Sequence, residues 1–401
     1  MRPLGSDMRI AFDARWYNQS GVGTYIRQLL NAICAADSEL QLYVFEEAGK
    51  PVPFCPAARL SRVAVRSSKL SLGSQYELRT LCRSLHIDLF HSPFQYGVPL
   101  FLPCPLVITV HDLIPFLFRT RDWYKQLAAV PWVKLGCRVA ALRTRHIITD
   151  SLNTAHDVEN ILGVPATRIT TVHLAASDDA FHSNRSQRET ERLEQTYRLC
   201  PPYAVVGSAG CNWRTKNLDT AIEAVASASR AMGRRIQLAI YGPRTAIENL
   251  KNPAVLSQVD VRYLGYMPVE DIGALLRNAE LFLMTSLYEG FGLPILEAMS
   301  CACPVITSSG GSLAEVAGDG ALIFDPKDSR GMSQAIALLL TNREKRERWR
   351  KRALARAAEF SWRKAAEQTI AAYRQVLDPL AAKSRAVTCQ SAGMPEGRRS
   401  A

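Results

Sequence analysis

Short, nearly continuous apolar runs alternate with amphipathic stretches along most of the chain. In the first half the runs stand at 9–15, 40–46, 62–65, 87–91, 106–110, 147–150 and 168–173. Runs of this length without a polar face predict strands covered on both sides, as in a parallel sheet. Helical spacing fills several of the gaps. Ile26, Leu29, Leu30 and Ile33 share one face of a helix expected over 24–36, and SLNTAHDVENILGV reads as a capped helix starting near Ser151. Residues 119–142 mix basic and aromatic side chains at helical spacing; a core-packing helix with a polar outer face is the commoner source of that pattern than an interfacial or acceptor-facing one. Polar residues then dominate from Ser177 to Gln195 and mark a boundary. Beyond it the alternation starts again, with strands expected at 203–208, 236–241, 261–265, 281–284, 304–307 and 321–324 and a helix from near Leu218. The pattern predicts an α/β protein of two doubly wound domains, 1–184 and 201–358, joined by a linker at 185–200. Helices follow after Asp328, the last of them over 359–378, and small polar residues from 379 to 401 predict disorder.

The densest chemistry lies in residues 285–326. Glu289 and Glu297 stand eight apart, with Gly290 and Gly292 beside the first. The expected strand at 281–284 and a helix over 293–300 put Glu289 at a strand's carboxyl end and the glycines at a helix N-terminus. Ligands bind at that edge of open α/β sheets, and free N–H groups there favour anions and polar oxygens. An isolated E-x7-E is more often a surface pair. Here the glycines, Pro294 and the apolar strand agree, which favours a site. His111 and Asp112 fall just past the strand at 106–110, again at the ligand edge, where a capping histidine is the plainer alternative. Gly21 and Gly23 sit in an expected turn between the first strand and first helix; G-x-G alone is equally well a plain tight turn. Arg214 and Lys216 lie in an expected loop before the helix at Leu218, two cations beside helix N–H donors, suited to a diphosphate or to solvent alike.

The run EGFGLPILEAMSCACPVITS resembles the signature of family 4 glycosyltransferases, retaining enzymes of the GT-B fold. The resemblance implies two Rossmann-like domains facing a central cleft, with the last helix crossing back onto the first. It implies that Glu289 holds hydroxyls of the transferred sugar and Glu297 the nucleotide ribose, with Gly290, Phe291, Gly292 and Leu293 lining the donor. VHDLIP resembles the family's first-domain histidine motif, so His111 is expected at the sugar. Lys216-Asn217 matches the family's phosphate-binding pair, Arg214 is expected to replace an arginine that many members carry earlier, and Gly21 and Gly23 match its glycine-rich loop. A nucleotide-activated hexose is the implied donor, GDP-mannose first, with a glycan or lipid-linked saccharide as acceptor.

Composition narrows this little. Of 401 residues 47% are hydrophobic and 21% charged, ordinary for a globular protein with sizeable cores. No run approaches the ~20 apolar residues of a membrane span, the N-terminus has no signal-peptide core, and ten cysteines show no paired framework; a reducing cytoplasm is expected. A net charge of +12 suits anionic partners, including an acidic membrane face for peripheral association, but nucleic acid is not expected, because the basic residues are dispersed and no nucleic-acid motif occurs. No D-x-D is present, which predicts a metal-independent reaction without cofactor. A nucleotide-sugar epimerase sharing the fold and a basic nucleic-acid- or membrane-binding protein are the competing readings. A nicotinamide dehydrogenase fits less well, since no G-x-G-x-x-G follows the first strand.

Overall fold

A computed structural model of the chain describes residues 8–36, 40–53, 59–118, 129–199, 201–207, 213–243 and 253–378. Two parallel sheets organise it. The first takes strands β1 (Met8–Asp13), β2 (Leu40–Glu47), β3 (Leu60–Val65), β4 (Leu89–Ser92), β5 (Leu106–Val110), β6 (His146–Thr149) and β7 (Ile169–Thr171) in the order β3-β2-β1-β4-β5-β6-β7. The second takes β8 (Tyr203–Gly207), β9 (Gln237–Tyr241), β10 (Asp260–Gly265), β11 (Leu281–Met284), β12 (Val305–Ser308) and β13 (Ala321–Phe324) in the order β10-β9-β8-β11-β12-β13. Each pairing between neighbours is parallel, so helices must cover both faces. That is why β4, β5, β6, β8 and β11 carry hardly an exposed residue. Phe12, Phe90, Tyr203 and Phe282 are fully buried; truncating such a side chain to alanine costs about 3–5 kcal/mol.

Each sheet reverses its winding once, between β1 and β4 and again between β8 and β11. The carboxyl ends of those central strands are the crevices in which open sheets take ligands.

Three expectations change. The first helix runs Ser20–Ala36, so Gly21 and Gly23 lie in its first turn and not in a preceding loop, with Gly23 N–H bonded to the Gln19 carbonyl. The strand before it stops at Asp13, whose carboxylate caps the following turn and grips Arg15 in a wholly buried pair at 2.7 Å. The polar boundary stretch holds a helix, Gln187–Tyr197. Its buried Leu193 and its bonds Glu189–Arg277 (2.7 Å), Tyr197–Asp271 (2.6 Å) and Thr190–Asn278 (2.9 Å) pack it on the helix Val269–Asn278 of the second sheet's layer. Of the helix expected over 119–142, residues Ala129–Arg143 are helical and 119–128 lie outside the described residues, as does the tail expected at 379–401.

The last helix, Trp362–Leu377, packs against Ser20–Ala36 of the first layer. A buried polar chain fixes its register: Tyr373 Oη to His91 Nδ1 at 2.6 Å, His91 Nε2 to Thr109 Oγ1 at 2.8 Å, and Thr109 to Tyr25 Oη at 2.9 Å. Burial, with the charge of His111 nearby, pushes the His91 imidazole down to about 3, so it stays neutral and serves as a hydrogen-bonding joint.

Candidate active site

Lys216 and Glu289 meet at the switch point of the second sheet. Lys216 ends the helical turn Trp213–Lys216 after β8, and Glu289 follows β11, the adjoining strand. Nζ and Oε1 lie 2.7 Å apart, with 15% and 13% of the side chains exposed. Arg214 is in the same turn; its side chain is outside the described residues. Asn217 takes the left-handed conformation, φ +50°, which asparagine tolerates. Its amide donates to the carbonyls of Thr285 (2.9 Å) and Pro326 (2.7 Å) and its oxygen accepts from Thr220 (3.0 Å). Its side chain is thus spent inside the protein, and it anchors the turn that aims Lys216.

The loop from β11 to the helix Leu293–Ser300 is held on both sides. Ser312 N–H donates to the Glu289 carbonyl (3.1 Å), and its hydroxyl, with one proton, lies within donating distance of that carbonyl (3.0 Å) and of the Phe291 carbonyl (2.8 Å). Gly290 has no room for a side chain: a Cβ there would lie 2.0 Å from the His111 carbonyl oxygen of the first domain. Gly292, at φ +100°, starts the helix, with Leu293 and Pro294 in its first turn. Phe291 is buried near His173 and Phe360. One further helical stretch along, Glu297 is half-buried, and among the described residues no cation pairs with it. Burial pushes its carboxyl up to about 7.

Across the junction, His111 follows β5. Its Nδ1 lies 2.6 Å from Asp150 Oδ2, and its Nε2 donates to the Pro93 carbonyl at 2.9 Å. A carbonyl only accepts, so Nε2 carries a proton, and the carboxylate facing Nδ1 favours a second one. Burial lowers the imidazole's pKa, but the charge and hydrogen bond of Asp150, with the Pro93 carbonyl, raise it above the ordinary value overall. The surroundings therefore favour the protonated ring, and both nitrogens are taken by protein atoms. Asp112 caps Ile114 N–H at 3.0 Å, and burial raises its carboxyl. Gly21 and Gly23 stand past the carboxyl end of β1, on the same edge of the first sheet.

The structure thus brings Lys216, Glu289, Gly290 and His111 to one junction, with Glu297 a helix stretch away. Sequence reasoning missed Asp150, although the expected strand ended on it, because nothing along the chain pairs it with a residue 39 positions earlier. It also missed Tyr288, Ser312 and Glu315, and it read Ser151 only as a cap. Cys301 and Cys303 are free and buried, small apolar-site residues as their context suggested.

With this geometry in view, comparison with known proteins is informative. The family model for Glycosyltransferase Family 4 matches residues 19–179, and that for Glycosyl transferases group 1 matches residues 200–356. The chain is 31% identical over 375 residues to O-antigen chain mannosyltransferase B of Escherichia coli, covering 89% of this chain and 97% of that protein. It is 29% identical over 295 residues to an MMP alpha-(1->4)-mannosyltransferase of Mycolicibacterium hassiacum, covering 69% and 67%. Among solved structures, sucrose-phosphate synthase from Thermosynechococcus elongatus superposes with a TM-score of 0.72 at 16% identity over 92% of this chain and 99% of that one. HepE from Anabaena in complex with UDP and glucose does so at 0.69 and 17%, over 92% and 99%. The two doubly wound sheets are those of the GT-B fold.

Proposed function

This chain belongs to glycosyltransferase family 4 and is a glycosyltransferase, and on that premise we propose that it moves a hexose, mannose by preference, from a nucleotide-sugar donor onto a glycan or lipid-linked saccharide in polysaccharide synthesis. The observation that carries the reading is the Lys216–Glu289 pair at the second sheet's switch point, pressed against the His111 edge of the first. In it Lys216 and the cationic His111 oppose the charge that grows on the departing diphosphate. Glu289 accepts hydrogen bonds from hydroxyls of the transferred sugar, and Glu297 accepts two from the ribose. The anomeric carbon–oxygen bond to phosphate breaks as the bond to the acceptor oxygen forms, and the acceptor's proton ends on the leaving phosphate, with the anomeric configuration retained. The mannosyltransferase relatives support mannose, and GDP-mannose is accordingly the first donor to try. Positive net charge supports peripheral docking on an anionic membrane, and among the described residues no helix is long and apolar enough to cross one.

A panel of nucleotide sugars tests this. The donor should raise the melting temperature, since a ligand of the folded state stabilises it, and should release its nucleoside diphosphate only when acceptor is added. Conversion of the donor alone would instead identify an epimerase. Transfer abolished by EDTA and restored by magnesium would overturn the metal-independent scheme.

A further inference from the structure

The first turns of the helix Leu152–Leu162, in the first domain, reach into the loop that carries Glu289 in the second. Ser151 Oγ lies 2.7 Å from the Gly290 carbonyl and Thr154 Oγ1 3.1 Å from it. Asn153 Nδ2 donates to Tyr288 Oη at 3.2 Å, and the Tyr288 hydroxyl donates to Asp157. Farther along, the Glu315 carboxylate accepts from Leu152 N–H (2.9 Å), Asn153 N–H (3.2 Å) and His173 Nε2 (2.7 Å). Among the described residues, the carbonyl of Glu289 is therefore held from within its own domain by Ser312, and the next carbonyl, that of Gly290, is held from the other domain by hydroxyls.

We propose that Ser151 and Thr154 are positioning residues for sugar binding: by holding the Gly290 carbonyl they orient Glu289, so that the grip on the transferred hexose is complete only when the two domains meet. The Ser151 hydroxyl has two separable jobs. As N-cap it accepts from Thr154 N–H at 3.0 Å, and with its single proton it donates to Gly290. Aspartate caps helices as well as serine but has no proton to donate when ionised. Ser151→Asp therefore keeps the helix and removes the clamp, whereas Ser151→Thr keeps both.

The inference rests on Glu289 being the sugar-binding carboxylate, and the test separates the two. Binding of GDP-mannose, and of UDP-glucose should that be the donor, is measured by calorimetry beside binding of the free nucleoside diphosphate. Ser151→Asp and the near-isosteric Thr154→Val should each weaken nucleotide-sugar binding, the first by about tenfold, the size of one good hydrogen bond, and leave nucleoside diphosphate binding unchanged. Ser151→Thr should bind as wild type. In a Glu289→Ala background Ser151→Asp should have no further effect, because the group it aims is gone. Equal losses for sugar nucleotide and free nucleotide, or no loss in either variant, would overturn the clamp while leaving Glu289 in place. Glu289→Ala binding the sugar nucleotide normally would overturn the underlying assignment instead. Should Ser151→Asp fail to fold, Thr154→Val alone decides the matter in the same way.

Discussion

The two sheet edges that meet at the site are built to opposite electrical plans. On the first, opposite charges are paired: Asp13 holds Arg15, Asp150 holds His111, and the Pro93 carbonyl takes the remaining imidazole proton, while Asp112 caps a backbone N–H. On the second, among the described residues Lys216 pairs with Glu289 alone, and Glu297 has no cation and is raised to about 7 by burial. A buried carboxylate without a partner is costly unless something else satisfies it. Even so the first edge is not saturated, since Asp150 Oδ1 is buried without a hydrogen-bond partner, but its charges largely face each other, whereas the carboxylates of the second are free to meet hydroxyls. The proposed donor site accordingly lies on the second edge, and the proposed role of the first is a positive field.

That contrast fails most visibly if Glu289 proves dispensable. Glu289→Ala removes hydrogen bonds to charge at ~1.5–3 kcal/mol each and strands Lys216, so transfer in an initial-rate assay should fall about 100- to 1,000-fold. Lys216→Ala comes next. Losing one charged contact to the diphosphate should cost about 10- to 100-fold, with nucleoside diphosphate binding weakened in step. Wild-type rates in both variants would move the donor off this edge.

Glu297→Gln sharpens the picture through pH. Native Glu297 keeps its proton up to about 7, whereas the unfolded carboxyl loses it near the ordinary glutamate value of 4.5. Between those values the folded state binds more protons than the unfolded, so the group's contribution to stability falls as pH rises. Nucleotide binding should run the other way. Ribose hydroxyls favour the ionised form, so affinity should strengthen from pH 6 to pH 8, with a proton release that is largest at pH 6 and fades toward pH 8, read by calorimetry in two buffers. Glu297→Gln should weaken binding by about tenfold at pH 8 and abolish the proton release. A pH-independent wild type would contradict it.

Why the two edges differed in legibility follows from the same physics. The second edge announces itself locally: Glu289, the glycines, Pro294 and Glu297 sit within nine residues, on a strand–loop–helix whose periods change at readable points. Strands buried on both faces are equally plain, and so each strand of the two sheets was visible, with ends displaced by a residue or two. The first edge is assembled at long range. His111 gains its charge from Asp150 across β5 and β6, and Ser151 finds Gly290 at 139 residues' separation. Polar residues misled in one place. The helix Gln187–Tyr197 buries little besides Leu193 and is tied down by pairs such as Glu189–Arg277 that no local pattern encodes. Gly21 and Gly23 misled in the other direction, since a helix can carry glycines in its first turn when the Gln19 carbonyl helps hold that turn.

The smallest expected effect tests the preset field itself. Asp150→Asn keeps a hydrogen-bonding side chain beside His111 Nδ1 but withdraws the negative charge, so burial is left to push the imidazole down. In the wild type the folded pKa lies above the ordinary histidine value of 6.5, so this interaction's stability is fully present below pH 6.5 and is lost as pH rises through the raised value. Denaturant unfolding should therefore show the largest gap between wild type and Asp150→Asn at pH 6 and a shrinking gap toward pH 9. Transfer should follow the same sign. A loss of about three- to tenfold at pH 7 is expected, the worth of one second-layer charge acting through a neighbour, with the variant's alkaline decline beginning at lower pH than the wild type's. A variant whose rate and alkaline limb both match the wild type would mean that His111 is a structural joint like His91, and that the first edge contributes shape to the site and no charge.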